Sequence, residues 1–255
     1  MVDYDMALRC ARLSQQVYMP FGNQENPFTE FPGAKVTLIE GSQERMASSQ
    51  APEMQAVASM VATDTQAALV LDPAKGDLYV VFRGSNQTLD WINNFQFRQQ
   101  IYPYGDGTSD VKFHLGFMAA YFAVRSAVLA ASEAVEVRRI IATGHSLGGA
   151  LATIAALDIQ YNITSRKQAG IAAYTYGAPR VGNQAMVESY NRRVPDSHRF
   201  VYGWDVVTRV PRLWQGYTHV DQEVLLGSRW TWRLISQRFQ DHRILNYVEA
   251  IANRA

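Results

Sequence analysis

With 255 residues, 47% of them hydrophobic, and a formal charge of +1, the chain is long enough to bury a sizeable core and reads most economically as one α/β domain. The near-neutral balance excludes a global field that would recruit nucleic acid or acidic membrane, the one cysteine excludes an intrachain disulfide, and no run of about 18 uninterrupted apolar residues predicts a transmembrane segment. Charge is nevertheless uneven: residues 199–255 hold eight arginines against five acids, which suits a solvated face or contact with anionic lipid. The first residues, Met1-Val2-Asp3-Tyr4-Asp5, are acidic where a secretion signal is basic and then apolar, so a cytoplasmic protein or a secreted mature form is expected.

Residues 4–18 fit an amphipathic helix with Ala7, Leu8, Ala11 and Ser14 on one side and Cys10 as a buried thiol. Residues 19–34, rich in Pro, Gly, Asn and Phe, read as a loop. Strands are expected at 35–41, 54–62, 66–72 and 77–83, the last two joined by the turn Asp72-Pro73-Ala74-Lys75-Gly76-Asp77. An alanine-rich helix follows at 117–134. Then comes the apolar run Ile140-Ile141-Ala142-Thr143, a helix at 147–160, a strand at 170–176, a helix at 183–193, a strand at 198–203 and a closing helix at 243–254. Strands alternating with helices imply parallel pairing in the second half, and the hairpin-like first half adds antiparallel strands.

The strongest chemical signal lies between the run at 140–143 and the helix at 147–160, in Gly144-His145-Ser146-Leu147-Gly148-Gly149. A G-x-S-x-G turn between strand and helix needs small residues on both sides of the serine, because the backbone is strained and the helix returns closely against its strand. That strain holds the Ser146 hydroxyl clear of the sheet, where a base can reach it. The free N–H groups opening the helix face any negative charge that develops beside it.

Serine is a weak nucleophile at neutral pH, so the reading requires a base and an acid that fixes the base's tautomer. Of the five histidines, His145 is read as a packing or hydrogen-bonding residue, His114 as structural and His198 as part of a strand. His219 and His242 both remain as candidates for the base. Asp205 lies just past the strand 198–203, at the carboxyl edge where active sites of open α/β sheets collect. The order Ser146, Asp205, His is the one that follows a nucleophile elbow.

Together these segments resemble the class 3 lipases, known from secreted fungal triacylglycerol lipases and related feruloyl esterases. The resemblance rests on Val80-Val81-Phe82-Arg83-Gly84-Ser85, Asp90-Trp91-Ile92-Asn93-Asn94, His114-Leu115-Gly116-Phe117, Gly144 to Gly149, Tyr176 to Asn183, Asp205 to Pro211, and Asp241-His242. It implies an α/β-hydrolase fold, with a predominantly parallel central sheet, antiparallel N-terminal strands and helices on both faces. It also implies Ser85 as an oxyanion-hole residue with the Leu147 N–H as second donor. His242, with Tyr247 nearby, matches the family's base, whereas Tyr217, His219 and Glu223 match a segment in which the histidine is not the base. Unlike the secreted fungal members, this chain has no pair of cysteines, and its spacing of 37 positions from Asp205 to His242 is shorter.

The resemblance further implies a lid at about 86–97, where Leu89, Trp91, Ile92 and Phe95 supply an apolar face; the alternative is that they plug the end of the sheet. The expected activity is that of a serine ester hydrolase acting on acylglycerols, with another esterase specificity or a silent lipase-like interaction module as alternatives. The expected partners are a small-molecule or lipid ester and a lipid–water interface, without nucleic acid. No H-E-x-x-H, Walker or dinucleotide fingerprint occurs, so neither metal nor cofactor is expected.

Overall fold

The computed structural model describes residues 2–19, 28, 31, 33–42, 65–85, 98–101, 109–220, 222–229 and 235–255. The strand expected at 54–62 and the lid segment at 86–97, with Leu89, Trp91, Ile92 and Phe95, lie outside them. Along the chain come helix α1 (Tyr4–Gln16), strands β1 (Lys35–Glu40), β2 (Gln66–Asp72), β3 (Asp77–Phe82), β4 (Gln99–Ile101) and β5 (Lys112–His114), and helix α2 (Leu115–Glu133). Then follow β6 (Arg139–His145), α3 (Leu147–Ile159), β7 (Gly170–Tyr176), α4 (Gln184–Arg193), β8 (Asp196–Tyr202), β9 (Glu223–Leu226), α5 (Ile235–Gln240) and α6 (Ile244–Ala252).

Seven strands form one sheet in the order β1-β2-β3-β6-β7-β8-β9, while β4 and β5 pair apart from it. Within the seven-stranded sheet the pairs β1–β2 and β2–β3 are antiparallel and the pairs β3–β6, β6–β7, β7–β8 and β8–β9 are parallel. The expected division into an antiparallel first half and a parallel second half is therefore present.

Side chains of a strand alternate between faces, and here both faces are covered. Leu78, Val80, Phe82, Ile140, Ala142 and Ala173 pack with α2, α3 and α4. Their neighbours Tyr79, Val81, Ile141, Ala172, Tyr174 and Tyr176 pack with α1 and α6. Burial on both faces explains why β3 reads as an uninterrupted apolar run instead of an alternation. Helix α1 turns Ala7, Cys10, Ala11 and Ser14 inward, and Cys10 has no exposed surface.

Helix α2 is long and apolar enough to cross a membrane by length and composition alone, but about two thirds of it is buried inside the fold. Its residues from Leu115 to Val128 form much of one core cluster. It begins two residues earlier than expected because His114 caps it, its Nδ1 accepting from the N–H groups of Gly116 at 3.1 Å and Phe117 at 3.4 Å.

Candidate active site

Ser146 sits between β6 and α3 with φ 59° and ψ −127°, a conformation that costs a non-glycine residue about 1–3 kcal/mol and persists only where its surroundings impose it. They do so through the elbow's glycines. A Cβ on Gly144 would run into the Gly148 carbonyl, and a Cβ on Gly148 into the carbonyl of Phe82 at the end of β3. The Ser146 N–H is tied to the Tyr176 carbonyl at 2.9 Å. Its hydroxyl has no hydrogen-bond partner among the described residues, although the residue is fully buried.

Leu147 opens α3, so its N–H is one of the four that a helix leaves without an internal partner. Ser85 lies three residues past β3 at the same edge of the sheet. The preceding Gly84 packs so closely on the elbow that a Cβ there would stand 2.6 Å from the His145 carbonyl oxygen.

The other half of the site forms where β8 ends. Asp205 is fully buried, and its two carboxylate oxygens have separate partners. Oδ1 accepts from the Val207 N–H at 2.8 Å. Oδ2 accepts from His242 Nδ1 at 2.7 Å and from the Tyr247 hydroxyl at 2.5 Å. Burial, with the Asp205 charge beside it, holds the Tyr247 phenol well above its usual range, so it stays protonated and donating. With the proton of the His242 ring on Nδ1, the lone pair is on Nε2. That nitrogen is buried and, like the Ser146 hydroxyl, lacks a hydrogen-bond partner among the described residues.

Asp241 Oδ2 accepts from the Trp204 N–H at 2.9 Å, anchoring the segment that carries His242 to the turn that carries Asp205. His145, inside the elbow, bonds through Nε2 to the His242 carbonyl at 2.7 Å, and the two rings lie 4.5 Å apart. A carbonyl only accepts, so His145 Nε2 carries the proton. Burial and the neighbouring His242 hold that imidazole well below its ordinary pKa. Its Nδ1 is therefore an acceptor, supplied by the Tyr18 hydroxyl at 2.9 Å.

Of the residues singled out in the sequence, Ser146, Asp205, His242, Ser85 and Leu147 all fall at the carboxyl edge of the sheet. His219 is not joined to Asp205: its Nε2 meets the Thr208 carbonyl at 2.5 Å, and burial, with Arg199 nearby, keeps it neutral. Three contributors had no sequence signal strong enough to single them out. Tyr18 lies 127 positions from His145, Asp241 read only as a neighbour of His242, and Gly177 read only as part of a motif. Gly177 has φ +60°, and a Cβ there would stand 2.7 Å from Asp205 Oδ2 and 3.0 Å from both His242 Nδ1 and the Tyr247 hydroxyl.

The sequence profile of the class 3 lipases matches residues 79–214, more than half of the chain. The protein belongs to the class 3 lipase family. Within it, the secreted mono- and diacylglycerol lipase 1 of Fusarium solani is 35% identical over 178 residues, which are 68% of this chain and 51% of that protein. A lipase of Rhizomucor miehei is 31% identical over 164 residues, 63% of this chain and 44% of the other. The chain thus spans about half the length of these curated relatives. A crystal structure of a mutant of MDLA from Penicillium cyclopium superposes with a TM-score of 0.69 over 97% of this chain and 96% of that one. At 20% identity that likeness is one of fold, and the fold is the α/β-hydrolase arrangement the resemblance implied.

Proposed function

We propose that the protein is a serine hydrolase that cleaves acylglycerol esters through an acyl-enzyme, with residues 1–255 acting as one domain. One observation carries the proposal. Asp205 holds the His242 ring by Nδ1 at 2.7 Å, while His242 Nε2 and the Ser146 hydroxyl are buried polar atoms with no partner among the described residues. Leaving such atoms unpaired costs stability, a cost that suits a pair reserved for a proton transfer.

In the proposed cycle Ser146 Oγ attacks the ester carbonyl carbon as its proton passes to His242 Nε2. The oxyanion is held by the Leu147 N–H and by Ser85. Asp205, assisted by the Tyr247 hydroxyl, keeps the ring in the required tautomer and stabilises its cation. The proton on Nε2 leaves with the alcohol, water then gives a proton to Nε2 as it attacks the acyl-enzyme, and Ser146 Oγ recovers that proton as the carboxylic acid departs. The names of the Fusarium and Rhizomucor relatives support a lipid ester as substrate, and the secreted Fusarium protein supports a secreted form.

The test is an alkyl fluorophosphonate label combined with hydrolysis of mono-, di- and triacylglycerols. Ser146→Ala should abolish labelling, and Asp205→Asn and His242→Ala should each lower turnover by at least about 10³-fold. Full activity of His242→Ala, with activity lost in His219→Ala, would overturn the assignment of the base.

A further inference from the structure

The segment bearing His242 is held from two directions. From the end of β8, Asp205 bonds its ring at 2.7 Å, and the Trp204 N–H donates to the neighbouring Asp241 at 2.9 Å. From the elbow, His145 Nε2 meets the His242 carbonyl oxygen at 2.7 Å. Strand β7 lies between β6, which ends at the elbow, and β8. A path from Ser146 to His242 by way of Asp205 therefore passes over the Ser146–Tyr176, Gly177–Phe200 and Asp205–His242 hydrogen bonds. The path through His145 is far shorter, since this residue adjoins Ser146 in the chain and reaches the main chain of His242 by a single bond.

That bond has a fixed direction. A carbonyl only accepts, so His145 Nε2 carries the proton and Nδ1 offers a lone pair, which the Tyr18 hydroxyl meets at 2.9 Å. Burial holds the Tyr18 phenol above its usual range, so it stays a donor. With a partner on each ring nitrogen, both the tautomer and the orientation of His145 are set. Tyr18 is placed in turn: a Cβ on Gly84 would collide with its hydroxyl oxygen, and its ring stands edge-on to His145 at 6.0 Å. The His145 and His242 rings are 4.5 Å apart and tilted by 31°. A neutral ring at that distance brings no charge to oppose an imidazolium on His242.

We propose that His145, oriented by Tyr18, is a positioning residue that keeps His242 Nε2 within reach of the Ser146 hydroxyl. Asp205 governs how the His242 ring is turned, and His145 governs where its main chain stands relative to Ser146. His145 takes no part in the proton transfer of the proposed cycle. It acts on the rate through geometry, where a misplacement of about 1 Å costs about 10²-fold. The inference rests on the proposed hydrolase reading.

The experiment combines urea unfolding with kcat and KM on dissolved p-nitrophenyl acetate. His145→Phe keeps a ring and loses both hydrogen bonds, so kcat should fall by about 10²-fold with KM within about twofold of wild type. His145→Gln, whose amide N–H can reach the His242 carbonyl, should recover about tenfold of that loss. Tyr18→Phe leaves Nδ1 without its donor and should lower kcat about five- to tenfold, yet cost nothing further in the His145→Phe background. No recovery in His145→Gln, additive losses in the double variant, or a loss carried by KM would overturn the proposal. If unfolding shows that His145→Phe does not fold, Tyr18→Phe decides, and a kcat within about twofold of wild type overturns it. Turnover retained in both Ser146→Ala and His242→Ala would sink the hydrolase reading and this inference with it. Those two variants inert, with kcat intact in His145→Phe, would sink this inference alone.

Discussion

Replacing Gly177 with alanine tests how tightly the base and acid are boxed in. At φ +60° an alanine costs about 1 kcal/mol on backbone grounds. Its Cβ would also stand 2.7 Å from Asp205 Oδ2 and 3.0 Å from both His242 Nδ1 and the Tyr247 hydroxyl. These three atoms form one hydrogen-bonded unit, with Oδ2 accepting at 2.7 Å and 2.5 Å. An ordinary carbon–oxygen contact is roughly 3.4–3.5 Å, so the carboxylate must retreat by about 0.7 Å, enough to stretch the Asp205–His242 bond out of good geometry. A charge-assisted bond is worth about 1.5–3 kcal/mol, and overpacking adds about 1–3 kcal/mol. We therefore expect stability to fall by up to about 3.5–7 kcal/mol, and kcat on a dissolved ester by about 10²-fold with little change in KM, since the ring is misplaced and not removed.

Urea unfolding and steady-state kinetics read the two effects separately, and Gly76→Ala is the matched control. Gly76 has φ +64°, but a Cβ there meets only Arg138 atoms at 3.7 Å, so that variant should lose about 1 kcal/mol and keep its kcat. If Gly177→Ala behaved like Gly76→Ala, with kcat within twofold of wild type, the reasoning about the boxed pair would fail.

Tyr247→Phe removes one of the two donors to Asp205 Oδ2; we expect about 1–3 kcal/mol lower stability and a several-fold lower kcat, measured by the same two assays, and unchanged values in both would mean the phenol does not support the acid. Burial pushes the His114 imidazole down to about 3 from its ordinary 6.5, so the unfolded chain takes up a proton that the folded one refuses. Its contribution to stability is therefore complete above pH 6.5 and is lost as pH falls from there toward 3, at about 1.4 kcal/mol per pH unit. His114→Asn, which keeps a capping acceptor, should flatten the dependence of unfolding free energy on pH between 6 and 4 by about that slope. An unaltered slope in urea titrations would contradict it.

Much of the architecture was legible because burial leaves a mark on composition. Strands β2, β3, β6 and β7 are largely apolar runs of six or seven residues, and each, like the more polar β8, lies within two residues of its expected bounds. Strands β4, β5 and β9, of three or four residues, went unseen because so short a run shows little alternation. Helix α5 at Ile235–Gln240 is only six residues long and carries no periodic face. The Ser146 elbow was visible because its turn needs particular small residues in sequence. The choice between His219 and His242 was legible only through the family resemblance, since what separates them in the structure is a contact across 37 positions with Asp205. Gly177 carries its requirement through atoms contributed by two distant segments, and no local pattern records that.

His145 takes a proton donor from Tyr18 and gives its own proton to the backbone of His242. The ring next to Ser146 is thus a clasp fastening early and late stretches of the polypeptide to one point. On the proposed reading, loosening at either extremity reaches Ser146 and His242 without crossing the sheet, so loss of activity and fraying of the outer helices are expected to coincide.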